Sequence, residues 1–177
     1  RLTVKKEELP HFTSCCPGWV KFCEYFYPDF LGHLSTCKSP QGMLGATIKS
    51  YLAAKKGIDP ANIVSVAIMP CTAKKFEVKR DGQDAAGVPD VDIALTTREL
   101  ARMIKSAQIE FKNLPDSEFD PTLGVTTGAA AIFGATGGVM EAALRTAADT
   151  LTGQSLDSID YTEVRGTDGI KEATYNV

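Results

Sequence analysis

Apolar positions along this chain change period several times, and each change predicts where one kind of element gives way to another. Trp19, Phe22, Cys23 and Phe26 recur at helical spacing in "GWVKFCEYFY". Pro17 suits the first turn of that helix, where its missing N–H is not needed, and Pro28 ends it. A second helix is predicted from about Gln41 to Lys56, with Leu44, Ile48, Tyr51 and Leu52 on one face and Gly57 as its stop. "NIVSVAIMP" (62–70) is continuously apolar, rich in β-branched residues and closed by proline, which predicts a buried strand; "VDIALT" (91–96) predicts another. In "TTRELARMIKSA" Thr96 and Glu99 have capping-box spacing, and Leu100, Met103, Ile104 and Ala107 supply a buried face. Small residues crowd "GAAAIFGATGG" (128–138) around Phe133, ahead of a helix over 139–151 closed by Gly153. "YTEVRGTDGIKEATYNV" predicts two alternating strands around a Gly-Thr-Asp-Gly turn. The stretch most like a loop is "KRDGQDAAGVPD" (79–90). Strands alternating with helices define the expected fold class as α/β, a largely parallel sheet flanked by helices.

Composition narrows the functional classes. A chain of 177 residues is long enough for one domain with a real core and too short to expect two. The net charge is −3 and no basic stripe occurs, so nucleic-acid binding has no electrostatic support. No apolar run approaches the roughly 20 residues that span a bilayer. "RLTVKKEELPHF" has no apolar core of a signal peptide, and the expected compartment is the cytoplasm. The chain starts at Arg1 and stops inside a predicted strand, which points to a piece of something longer.

Chemistry centres on five cysteines, Cys15, Cys16, Cys23, Cys37 and Cys71, an odd number without the spacing of a secreted disulfide framework. Cys71 in "MPCTAKKFE" directly follows the first predicted strand, and in open α/β sheets sites lie at the carboxyl ends of strands. Lys74 and Lys75 follow within a turn; nearby ammonium groups lower a thiol's pKa and improve it as nucleophile or metal ligand. The alternative is a small buried thiol beside two solvated lysines. Cys23 lies on an apolar helix face and suits core packing. Cys37, in the loop "LSTCKSPQ", receives no function. The adjacent pair Cys15–Cys16 admits a strained disulfide, two ligands, or one ligand and one free thiol. Thr13 and Ser14 can cap the helix after them, leaving a positive helix end near the thiols. No C-x-x-C occurs, and His11 and His33 are too remote to complete a zinc set. "GATGG" matches neither nucleotide fingerprint and serves close backbone packing or close approach to a bulky cofactor. Glu141 and Arg145 form an expected i,i+4 pair.

Together "TSCCPGW" (13–19), "MPCTAKKFE" (69–77) and "FGATGGVMEAALR" (133–145) closely resemble the motifs of FeFe-hydrogenases in order and spacing, and "KSPQ" (38–41) and "TTRELARMIK" (96–105) extend the match over essentially the whole chain. That resemblance implies a catalytic domain of two lobes holding the H-cluster, a 4Fe–4S cubane joined through a cysteine sulfur to a two-iron unit with CO, cyanide and azadithiolate. The implied reaction is the reversible conversion of protons and electrons to H2. Cys16 and Cys71 resemble two of the four cubane ligands, and Cys15 the non-ligating thiol that passes protons. Lys74 resembles the lysine that hydrogen-bonds a cyanide. Met69 and Phe133 resemble the apolar wall, Ser39 and Gln41 residues supporting the cofactor, and Ser35 a member of the proton path. Implied partners are the remainder of the same catalytic domain, a ferredoxin or accessory iron–sulfur domain as electron partner, and maturation proteins.

The sequence departs from the family pattern in two respects: acidic members of the family's proton path would fall before Arg1, and two ligands are missing. It has no C-x-x-x-C and no cysteine after Cys71, where the family carries its other two ligands. The expectation is therefore one lobe, residues 1–177, inactive alone and holding the cofactor incompletely or not at all. Two other family classes compete: a non-catalytic iron–sulfur homologue used in cluster assembly, and a hydrogen sensor. Cys15, Met69 and Lys74 argue against the first, because a plain cubane needs neither proton donor nor cyanide partner.

Overall fold

The computed structural model describes residues 9–124, 128–135, 137–154, 162–163 and 170–174, which fall into two compact units, Arg1–Ser117 and Glu118–Val177. In the first, helix α1 (Pro17–Phe26) begins at the proline that can best tolerate its first turn, and a 3-10 segment (Pro28–His33) follows. The second predicted helix is α2 (Pro40–Thr47), a π-type turn (Ile48–Leu52) and α3 (Ala53–Lys56), closed by Gly57 at φ +65°. Strand β1 (Val66–Met69) leads through Pro70 to the single turn α4 (Lys74–Glu77). Strand β2 (Ile93–Thr96) runs parallel to β1 in the register Val66–Ile93 to Met69–Thr96, and feeds α5 (Thr97–Ser106). The fold is α/β, with parallel strands and helices. No helix of the described residues is long and apolar enough to cross a membrane.

Two faces differ from the hydrophobic pattern. Of the predicted face Leu52 is buried, whereas Leu44 and Tyr51 are exposed, and the 40–56 segment also buries Gln41, Gly42, Gly45, Lys49 and Ala53. The reason is a close backbone approach: a Cβ at Gly45 would lie 2.4 Å from the Asp90 carbonyl oxygen, so this face fits against the 79–92 segment only at a glycine. Lys49, one turn on, is fully buried. Its ammonium is neutralised by Asp92 at 2.9 Å and donates to the Ile63 carbonyl. Asp90, also fully buried, accepts from Lys38 and from the Ala85 amide. The strand predicted as buried keeps Val66 and Ile68 exposed, with Ile93 beside them on β2. On α1, Trp19, Phe22 and Phe26 are likewise exposed, and of the apolar stripe only Cys23 is buried.

The capping box at α5 forms in full: the Glu99 amide donates to Thr96 Oγ1 and the Thr96 amide to the Glu99 carboxylate. Lys75 donates to the same carboxylate from α4. That bond, ahead of the Thr96 amide, holds Glu99 down to about 2 from 4.5. The carboxyl is lowered on folding, so the stability it adds is complete above pH 4.5 and fades as pH falls towards 2. Glu99→Gln keeps the cap and removes the charge; its melting temperature should lie below wild type at neutral pH, with the gap closing across that window in melts at stepped pH.

In the second unit α6 (Gly128–Phe133) turns into α7 (Gly138–Thr152), which ends at Gly153 in the left-handed conformation. A Cβ at Gly138 would overlap the Ile132 carbonyl at 1.7 Å, so close backbone packing accounts for a glycine in "GATGG". Arg145 Nε donates to Glu141 at 3.1 Å as expected along α7. Strands β3 (Thr162–Glu163) and β4 (Lys171–Glu172) pair antiparallel; the Gly-Thr-Asp-Gly turn between them lies outside the described residues.

Candidate functional site

The cysteine pair is positioned by the backbone before it. Phe12 forms a parallel bridge with Leu34: its amide donates to the His33 carbonyl at 2.9 Å, and the Ser35 amide donates to the Phe12 carbonyl at 2.7 Å. The two loops "FTSCC" and "LSTC" therefore run side by side. Phe12 also packs edge-on against Trp19, Phe30 and His33, which anchors the approach to α1. Cys16 is the N-cap residue of α1, and no side chain caps that helix. The expected cap by Thr13 or Ser14 does not form; Ser14 Oγ instead accepts from the Cys16 amide at 3.1 Å, tightening the turn that carries both thiols. Cys15 and Cys16 are both exposed, and each is a free thiol.

These loops line a hollow of about 140 Å³ that gathers Cys15, Cys16, Ser35, Cys37, Ser39 and Glu77. Ser35 Oγ accepts from the Cys37 amide at 3.2 Å. Ser39, the N-cap residue of α2, is buried, and its Oγ has no hydrogen-bond partner among the described residues; the same holds for Gln41 Oε1. Gln41 spends its amide on Glu77, Nε2 to Oε2 at 2.7 Å. Lys74 Nζ donates to that same oxygen at 2.7 Å and also to the Cys15 carbonyl. All three side chains are buried. Of the two lysines after Cys71, Lys74 is not solvated but buried on Glu77, whereas Lys75 stays partly exposed and is paired with Glu99.

A second ion pair fixes α1 to the chain just after α4. Arg80 donates through both terminal nitrogens to Glu24, holding that carboxyl below its ordinary value, and its guanidinium sits 5.7 Å from the Phe76 ring centre. The cysteine pair and the lysine segment are thus tied at two points, Cys15 to Lys74 and Glu24 to Arg80.

Met69 ends β1 and lines an apolar groove with Gln41, Leu44, Ile48 and Ile68. Cys71 follows two residues later, exposed, where the strand delivers it, and lines neither hollow. Phe133 ends α6 in the second unit. Cys23 is buried and its thiol donates to the Tyr27 carbonyl, as a core cysteine should. Cys37, given no function on sequence grounds, shares the hollow with the cysteine pair. No sequence motif singles out Glu77 as a site residue, although its i,i+3 spacing from Lys74 places the two on one helical face.

Residues 1–177 match the family described as iron only hydrogenase large subunit, C-terminal domain. The periplasmic Fe hydrogenase large subunit of Nitratidesulfovibrio vulgaris is 56% identical over 100% of this chain and 42% of its own length. Iron hydrogenase 1 of Clostridium pasteurianum is 53% identical over 96% of this chain and 29% of its own length. More distantly, the cytosolic Fe-S cluster assembly factor NAR1 of Botryotinia fuckeliana is 35% identical over 91% of the chain and 34% of its own length. A solved variant of the apo FeFe-hydrogenase HydA1 from Chlamydomonas reinhardtii superposes with TM-score 0.76 at 52% identity, covering 92% of this chain and 41% of that one. The chain thus spans less than half the length of each.

Proposed function

Because this chain belongs to the iron-only hydrogenase family, we propose that residues 1–177 form one lobe of a catalytic domain that interconverts protons, electrons and H2 at an H-cluster. The observation that carries the reading is the buried Lys74 ammonium, tied to the backbone of an exposed cysteine pair.

The residues present fit the cofactor. Cys16 and Cys71 are exposed, unpaired thiols on two tethered segments, and iron of a cubane takes soft thiolate donors. Ser39 Oγ and Gln41 Oε1 are buried polar atoms lacking a partner among the described residues, suited to groups at a cofactor's rim. A buried ammonium is suited to an anionic ligand such as cyanide. Cys16 and Cys71 would supply two of the four cubane ligands, Lys74 the cyanide partner, and Met69 part of the apolar wall. When bound, the cofactor supplies the redox chemistry of hydrogen.

The chain's own part is proton handling and positioning. Cys15 Sγ, on the residue whose carbonyl Lys74 holds, would carry protons to and from the reacting end, and Ser35, on the neighbouring loop, would belong to the same path. Adjacent side chains diverge, so one thiol can bind iron while the other moves protons. The remaining ligands, a ferredoxin or accessory iron–sulfur domain, and maturation proteins would come from outside these residues. Cytoplasmic placement is part of the proposal; one relative is named as periplasmic, so compartment varies among relatives.

The assembly-factor reading is favoured by the NAR1 relatives and opposed by the joint presence of Cys15, Lys74 and Met69. Hydrogen turnover decides between them. The full-length polypeptide carrying these residues, matured and assayed with a low-potential one-electron donor, should evolve H2. A protein that holds a cubane yet neither evolves nor consumes H2 would overturn the hydrogenase reading.

A further inference from the structure

Of the buried groups in the first unit, Glu77 has the least obvious purpose. It is a carboxylate with almost no exposure, lining the hollow of the cysteine pair, and such a charge is retained only where it is paired and hydrogen-bonded. One oxygen, Oε2, accepts from two directions, Gln41 Nε2 at 2.7 Å and Lys74 Nζ at 2.7 Å. The other cations on the same hollow are paired elsewhere, Arg80 with Glu24 and Lys38 with Asp90. The result is a chain of bonds from α2 to the cysteine loop: Gln41 to Glu77, Lys74 to Glu77, and Lys74 to the carbonyl of Cys15, 59 positions away in sequence.

We infer that Glu77 is the positioning residue of this site: it fixes the direction of the Lys74 ammonium, compensates its charge and, through that ammonium, holds the backbone of Cys15. An ammonium has three N–H donors. Two are spent, on Glu77 and on Cys15, which leaves a single donor whose direction is set by the other two. The side chain cannot swing, because Glu77 lies on the same helical face and is itself held by Gln41. Glu77 also neutralises the lysine, so Lys74 offers an anion a directed hydrogen bond from an already compensated pair and not a bare charge. Glu77 touches no reacting group; it acts through Lys74.

The inference rests on the proposed H-cluster, and the test separates the two. In the full-length matured enzyme the cyanide stretching bands are recorded by infrared spectroscopy for wild type, Glu77→Gln, Lys74→Met and the double variant. Glu77→Gln should shift the cyanide bands, and should add no shift on the Lys74→Met background, because the carboxylate is felt only through the ammonium. A merely structural role would leave the bands in place while lowering the melting temperature. Unchanged bands in Glu77→Gln, or equal shifts on both backgrounds, would overturn this proposal alone. Absence of cyanide bands from wild type would overturn the underlying reading and this proposal with it. Should Glu77→Gln fail to fold, Glu77→Asp keeps the charge but withdraws it by one methylene, and should shift the same bands; failure of both to fold would make Glu77 a folding determinant and overturn the positioning role.

Discussion

Cys15→Ala in the full-length enzyme should lower hydrogen turnover by about two to four orders of magnitude, the usual worth of a positioned acid–base group, while leaving iron content at the wild-type value. The separation of the two readouts follows from the geometry. Cys15 precedes the N-cap of α1, and its carbonyl is already engaged by Lys74, so removing one sulfur leaves the turn, the Ser14 bond to the Cys16 amide and the start of α1 intact. Nothing that shapes the site depends on the Cys15 side chain. What disappears is a titratable proton on an exposed group beside the Ser35 loop. Serine at this position restores the size and a hydroxyl but not the acidity of a thiol, so Cys15→Ser should recover little turnover. Parallel measurement of H2 evolution and of iron per chain checks both halves. Loss of iron along with activity would mean that Cys15 is a ligand and that the division between the two cysteines is wrong.

The parts of this site legible in the sequence are those set by near neighbours. Pro17 marks the start of α1 and Thr96 with Glu99 the start of α5, because both signals act within one turn. Cys23 could be assigned to the core because helical spacing places it beside apolar residues. The inward face of residues 40–56 was not legible. It is selected by a backbone contact between Gly45 and Asp90 and by a buried Lys49–Asp92 pair, and neither leaves a local pattern. Leu44 and Tyr51 satisfy the helical period yet are exposed, while Leu52 is buried, so periodicity found the helix and placed its face only in part. Lys74 shows the same division. Its Glu77 partner lies three residues away and could have been anticipated, whereas Gln41 and Cys15 reach it only through the fold. The spacing of Lys74 and Lys75 after Cys71 suggests two charges acting on one thiol; a local i,i+3 pair for Lys74 and a tertiary pair for Lys75 instead give each lysine its own carboxylate.

Cys16→Ser and Cys71→Ser, each alone, should strip the matured enzyme of its cubane, and with it all turnover. The two residues lie far apart in sequence and on different elements, one at the N-cap position of α1 and the other following β1, so a shared fate would not arise from local structure. It would arise from the proposed role of both thiols as donors to one group, their segments being tethered by the Lys74 bond to the Cys15 carbonyl and the Arg80 bond to Glu24. A cubane takes one thiolate per iron, and a serine hydroxyl is a hard, poorly ionised replacement at neutral pH. The control is Cys37→Ala: this thiol is exposed on the same hollow, yet its change should leave iron per chain unaltered. Iron analysis with the visible absorption of the cluster reads all three variants. If Cys37→Ala loses iron while Cys71→Ser retains it, the second ligand belongs on the Ser35 loop, and the pairing of the first motif with the strand end is wrong.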